Sequence, residues 1–331
     1  MAVTFEFEVG KGFHFTTSFA ENFNLEVEGD RVNLPDELGE GFIQEVYLDN
    51  GIALCLHHYN LQQDFILRRR LSSHTEGLTI KFDCRRSPEN PLFQSGSGYE
   101  VEFGTGNFFS ELVLPAGPSV NFLVIGLTRN VMLNMIQPEE DSYIANTIRD
   151  NESFVLHEAM TTEMERVLKQ LSAINHRTRL APLLYKTRAQ ELIYLLFSKL
   201  ITRDVKSSVN IKQADAEKIY KVRAAILSDL SQAPVLQQLS ATSGINLTKM
   251  KELFRQIFGE SIYNYYQAAR MSHAADLLND NTVSEAGHQV GFTNLSHFTR
   301  LFEKHHKIKP KRYKDKLEMA ANRNKPPNRR R

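Results

Sequence analysis

The 331-residue chain is 41% hydrophobic and 24% charged, the balance of a soluble globular protein long enough for two domains. No apolar run has the length of a membrane span, and the N-terminus shows alternating residues in place of a signal peptide, so a cytoplasmic protein is expected. Two cysteines, Cys55 and Cys84, outside any CxxC unit, exclude a disulfide scaffold and a cysteine zinc site. The net charge of +1 hides an asymmetry: from Ala216 onward 20 Lys and Arg stand against 10 Asp and Glu, whereas upstream the counts are 20 and 29. A basic module joined to an acidic one suits nucleic-acid binding by the C-terminal part alone.

Strand patterns fill the first half. Val3, Phe5, Phe7 and Val9 alternate with polar neighbours, the period of a half-buried strand. Short runs follow at 42–47, 52–58, 65–71, 78–82, 99–103, 108–113 and 119–127. Expected turns separate them at Asp49-Asn50-Gly51, Ser95-Gly96-Ser97-Gly98 and Gly104-Thr105-Gly106-Asn107. Many short strands predict a sandwich or a small barrel with room for one ligand. Arg68, Arg69 and Arg70 lie in one of these strands, with Arg69 projecting opposite to its neighbours. They are candidates for an anionic-ligand site, with simple solvation as the alternative.

From about His157 the period becomes helical, with Met160, Met164, Val167, Leu168 and Leu171 on one stripe, then a second helix over 183–201. This pair either covers an open face of the β-domain or forms a homodimer interface. The polar stretch 202–213 reads as a linker, and Asp215 as the cap of a scaffolding helix.

Two helix-turn-helix patterns follow, one from Leu239 to Phe258 and one from Ala286 to His306. Their positions superpose: Asn246 on Asn294, Met250 on Phe298, Leu253 on Leu301, Phe254 on Phe302. Gly244 and Gly291 sit at the turns, and Asn246 and Asn294 are placed to cap the second helix of each pair. With the apolar positions turned inward, Thr248, Lys249, Lys251, Glu252 and Arg255 are left for a DNA groove in the first motif. In the second, Leu295, Ser296, His297, Thr299, Arg300 and Lys304 are left, with Arg300 the leading base-reading candidate. A long helix over 261–278 would act as a strut between the two heads. Asp280 or Asn281 should cap the helix that follows.

The stretch ARMSHAADLLNDNTVSEAGHQVGFTNLSHFTRLFEKHHKIKPKRY, within residues 216–317, resembles the DNA-binding domain of the AraC/XylS family of transcription regulators. By that resemblance Thr248, Lys251, Glu252, Arg255, Leu295, Ser296, Thr299 and Arg300 fall on groove-facing positions. The sequence departs from the family at His306-Lys307-Ile308-Lys309, where an aromatic residue, a glycine and then Ser or Thr are usual. Residues 35–130 resemble, more loosely, the branch that includes the pyochelin regulator, which implies an iron-siderophore effector. The resemblance further implies activation through RNA polymerase.

The expected architecture is α+β. An N-terminal cupin-like β-barrel or sandwich (1–150) carries a helical pair (151–205), and a linker spans 206–215. An all-α domain of two helix-turn-helix motifs joined by a long helix covers 216–317, and a disordered basic tail 318–331. The expected partners are double-stranded DNA, RNA polymerase, a small-molecule effector such as a ferric siderophore, and a second copy of the chain. No cofactor, metal or membrane is expected. His57 and His58 point to opposite strand faces and cannot share a metal, and the glycines at 96, 98, 104 and 106 lack a phosphate-loop Gly-Lys-Ser/Thr. With neither a GxSxG elbow nor an activated cysteine, an enzyme is not expected. The alternative is a ligand-independent, partner-controlled DNA-binding protein whose β-domain makes protein contacts.

Overall fold

A computed structural model describes residues 2–8, 14–48, 51–70, 77–84, 100–106, 111–117, 119–137, 139, 142–150, 152–203 and 211–323. The expected turns at 49–50 and 95–98, residues 107–110 of another expected turn and strand, most of the linker (204–210) and the tail from 324 lie outside that set. The chain falls into two compact units. Residues 1–87, 98–217 and 252–259 form the first; 218–251 and 260–331 belong to the second.

The first unit is built on two sheets. Strands β1 (Val3–Glu8), β6 (Phe65–Arg70) and β9 (Glu111–Leu114) make a three-stranded sheet in the order β1-β6-β9. The other strands are β2 (Val27–Glu28), β3 (Arg31–Asn33), β4 (Gly39–Tyr47), β5 (Ala53–Leu61), β7 (Gly77–Asp83), β8 (Glu100–Thr105), β10 (Ser119–Thr128) and β11 (Val155–Ala159). They form an eight-stranded sheet ordered β11-β8-β7-β10-β5-β4-β3-β2. The fold is α+β, and of the two expected β architectures the sandwich holds. Among the described residues the large sheet ends at β11 on one edge and β2 on the other, so it is not closed into a barrel.

Alternation decides what each face of the large sheet buries. Leu54 and Leu56, Leu78, Ile80 and Phe82, Val101 and Phe103, and Leu123, Ile125 and Leu127 face one core. That core is completed by α2 (Arg129–Ile136), α3 (Tyr143–Arg149), α4 (Thr162–Ser172) and α5 (Ala181–Leu200). The opposite face buries Tyr59, Val120 and Phe122 against Phe5, Phe65, Leu67 and Leu114 of the small sheet and Phe15 and Phe19 of α1 (Phe15–Phe23). Burial on both faces explains why β10 reads as a nearly unbroken apolar run.

Several expectations need correction. The helix α1 was not anticipated, although Phe15, Phe19 and Phe23 recur at helical spacing and Asn24 ends it in a left-handed conformation (φ 53). The helical region does not begin at His157: residues 155–159 are the edge strand β11, paired with β8, and α4 starts after the cap Thr161. Gly104 and Thr105 lie in β8 and not in a turn. Glycine is needed at 104 because a Cβ there would stand 2.4 Å from the carbonyl oxygen of Phe154, the residue before β11. Asp215 lies inside the first turn of α6 (Gln213–Ser228) and is not its cap.

The second unit contains most of α6, α7 (Leu236–Ser243), the start of α8 (Leu247–Phe258), α9 (Ile262–Leu277), α10 (Val283–Gln289), α11 (Leu295–His306) and α12 (Pro310–Arg323). Met271, Ala274 and Ala275 from α9, with its C-cap Leu278, bury Ala286, Val290, Phe292, Phe298 and Phe302 in one core. The helix α9 is capped by Ser261 through the Asn264 amide (3.2 Å). The cap of α10 is Thr282, one residue beyond the expected Asp280 or Asn281. Thr282 accepts from the Glu285 amide while the Glu285 carboxylate accepts from the Thr282 amide, a reciprocal box. Residues 318–323, expected to belong to a disordered tail, instead continue α12, which runs through good helix formers to Arg323.

Candidate nucleic-acid interface

Both expected turns form. Gly244 ends α7 in the left-handed region (φ 66), and the Asn246 side chain accepts from the Lys249 amide at 2.9 Å to start α8. In the second motif Gly291 adopts φ 79, and any Cβ there would collide with the Ser231 carbonyl, so only glycine fits. Asn294 accepts from the amides of Ser296 (2.9 Å) and His297 (3.1 Å) to start α11. Gly287 allows α11 to approach α10 closely: a Cβ there would lie 2.8 Å from Leu295 Cδ2 and 3.1 Å from the Phe298 ring.

The two helices α8 and α11 are amphipathic in the same way. In α8 Met250, Leu253, Phe254 and Ile257 are buried, and Thr248, Lys251, Glu252 and Arg255 are exposed; Lys249 is half-buried. In α11 Phe298 and Phe302 are buried, Ser296, His297, Arg300 and Lys304 are exposed, and Thr299 is half-buried. Leu295 is also half-buried, packed against the core of the second motif next to Gly287, with only part of its side chain outward. His306 is half-buried. Its Nε2 lies 3.1 Å from the Met271 carbonyl, its ring is 4.4 Å from that of Phe302, and burial holds its pKa below the ordinary imidazole value. Lys307 takes the left-handed conformation (φ 58) that ends α11, the job a glycine does most cheaply.

Arg270 ties the connecting helix to the second turn. Its Nε donates to the Val290 carbonyl, and its guanidinium lies 3.7 Å from the centre of the Phe292 ring. Sequence spacing alone had left this residue unassigned. It had also given no sign of Arg203. Within the first unit Arg203 donates to Glu158 (2.7 Å), to the His157 carbonyl and to the Gln256 carbonyl (3.0 Å), the last near the C-terminal end of α8.

Of the three arginines in β6, the structure separates two. Arg68 is exposed and paired with Glu6 (3.0 Å) and Glu111 (2.8 Å) on the flanking strands. Arg69 faces the opposite way and lies against Gly106. The side chain of Arg70 is outside the described set. Among the described residues no group of three His, Cys, Asp or Glu is arranged to hold a metal, and no helix is long and apolar enough to cross a membrane.

Residues 239–316 match the helix-turn-helix domain family model. Over 132 residues the chain is 33% identical to the transcriptional activator AggR of Escherichia coli, covering 37% of this chain and 46% of that protein. The chain thus spans about half the length of this curated relative. Among solved structures, a probable AraC family transcriptional regulator from Rhodopseudomonas palustris CGA009 is 26% identical, with 30% of this chain matched to 97% of that one at a TM-score of 0.28. ToxT from Vibrio cholerae O395 is 15% identical, with 81% of this chain matched to 99% of that one at a TM-score of 0.29. At these TM-scores the overlays carry no argument of their own.

Two capped helices, each with a buried apolar side and an exposed polar one, form a double helix-turn-helix domain, an arrangement suited to DNA. In sequence the chain is similar to a transcriptional activator and to a probable AraC family regulator.

Proposed function

We propose that the chain is an effector-responsive activator that binds DNA as a homodimer in the cytoplasm and recruits RNA polymerase. The observation that carries the DNA part is the matched pair α8 and α11, whose outward rows hold Thr248, Lys249, Lys251, Glu252 and Arg255, and Ser296, Thr299, Arg300 and Lys304. Leu295 adds an apolar edge suited to a thymine methyl group. Basic residues among these hold phosphate, and Arg300, Glu252 and Arg255 have the side chains that discriminate base edges.

Self-association is supported by α5. Its inner side fills the core, yet Leu183 and Tyr194, 60% and 70% exposed, recur on one outer stripe that leads to Ile201 just beyond the helix. The β-sandwich with its two separate cores is the part suited to an effector, and a ferric siderophore is the first class to try.

Selection of duplexes from a random pool by the full chain tests the reading. A bipartite preferred site, with its two parts about one helical turn apart, is the expected result. Binding without sequence preference would discard it. Thermal unfolding with ferric and iron-free siderophores tests the effector: a ligand at 100 times its Kd adds about 2.7 kcal/mol of stability. No shift with any of them would discard that effector class.

A further inference from the structure

Alternation along β6 places Phe65, Leu67 and Arg69 on one face. Phe65 and Leu67 are buried in the core between the two sheets, so Arg69 continues an apolar row at its end, on the inner side of the sandwich. Its guanidinium lies on the backbone of Gly106, just beyond β8: a Cβ there would stand 2.5 Å from Nη1 and 2.6 Å from Nη2. Among the described residues no carboxylate or carbonyl bonds to it, and burial lowers its pKa from the usual guanidinium value with no neighbouring charge opposing the shift. Arg68 next to it shows the ordinary solution, an exposed cation shared by two glutamates.

The surroundings of Arg69 are aromatic. Its partner in register on β1 is Phe7, which stacks on Phe5 (5.6 Å between ring centres) and meets Phe15 edge-on (5.0 Å). Phe15 in turn packs on His57, which lies flat on Phe122 at 4.0 Å. A half-buried guanidinium without a counter-charge is costly for the fold, and a planar anion that accepts two N–H bonds removes the cost.

We propose that Arg69 anchors the anionic group of a small organic ligand whose apolar body lies along the half-buried ring of Phe7. This assignment rests on the reading of the β-rich unit as effector-responsive, and names the chemical class of that effector: a carboxylate on an aromatic or alkyl frame. Arg69 fixes the charged end, and Phe7 selects against bare inorganic anions.

Calorimetric titration of the full chain with 4-phenylbutyrate, its neutral amide and inorganic phosphate tests the site. The acid is expected to bind, the amide and phosphate at least about tenfold more weakly. Arg69→Gln is expected to weaken the acid at least about tenfold, Arg69→Lys to retain part of the affinity, and Arg68→Gln to leave it unchanged. Should Arg69→Gln fold poorly, Arg69→Met, with similar volume and no charge, replaces it. Equal binding of acid and amide, unaltered binding by the Arg69 variants, or no binding of the acid at millimolar concentration overturns the site. Phosphate binding as tight as the acid overturns the apolar part of the assignment. Arg69-dependent binding that leaves DNA affinity unchanged would uphold the site and overturn the effector-responsive reading instead.

Discussion

Arg270 and Phe292 are stacked 3.7 Å apart, and through this pair the connecting helix α9 holds the glycine turn that aims α11. The same guanidinium donates to the carbonyl of Val290, the C-cap residue of α10, so one side chain satisfies an orphan carbonyl and clamps the ring behind the turn. Arg270→Ala should destabilise the protein by about 2–3 kcal/mol, the sum of a charged hydrogen bond and a desolvated cation–π contact. Arg270→Lys keeps the charge but not the planar fork and should lose about half as much. Equilibrium denaturation of both variants checks the order; equal stability of Lys and Ala forms would show that planarity is irrelevant here.

Lys307 closes α11 at φ 58, a conformation that costs a residue with a Cβ about 1 kcal/mol. Its Nζ returns one bond to the Lys304 carbonyl (3.0 Å), which offsets part of that cost. Lys307→Gly should therefore stabilise the protein by about 0.5–1 kcal/mol, read as an upward shift of the unfolding midpoint. A drop in stability would mean that the lysine contact outweighs the backbone strain.

His306 gives stability a pH dependence. Desolvation lowers its folded pKa, so the unfolded chain binds the proton more readily. Its contribution is present above the unfolded value of about 6.5 and is lost as pH falls from there toward the lower folded value. Replacing it with Phe, which keeps the stacking on Phe302 and Tyr313, should flatten this part of the stability profile between pH 7 and pH 5, measured by denaturation at a series of pH values. An unchanged slope would assign the acid sensitivity to other groups.

Arg300 is exposed on the outer row of α11. If it reads a guanine, Arg300→Ala should cost about 1–3 kcal/mol in DNA binding and relax selection at one base pair. Uniform weakening on all sequences, with a shallower salt slope, would make it a phosphate contact. Lys304→Ala, one turn further along, serves as the phosphate comparison.

Thr282→Ala removes the hydroxyl half of the box that starts α10 and should cost about 1 kcal/mol by denaturation. Thr282→Ser should cost far less.

Whatever depends on near neighbours in the chain could be read from the sequence. The alternation of Val3, Phe5 and Phe7 marked a strand, and the caps Asn246 and Asn294 marked the starts of α8 and α11, because a cap bonds only two or three residues ahead. The same locality made the apolar sides of both recognition helices legible. The helical spacing of Phe15, Phe19 and Phe23 was equally readable but lay between strands and was passed over.

What only the tertiary structure decided rests on contacts between distant residues. Gly104 belongs to a strand because Phe154 passes 50 residues later, and His306 is half-buried because the Met271 carbonyl lies 35 residues back. Most of all, the sequence put Arg68 and Arg69 on opposite faces of one strand without showing which of them meets a counter-charge. Cross-strand pairing with Glu6 and Glu111, 62 and 43 residues away, neutralises the first, while the sandwich interior leaves the second without a partner among the described residues. Residue type and period set which face a side chain takes along its own strand; which charge meets it there is set by the strands that fold alongside.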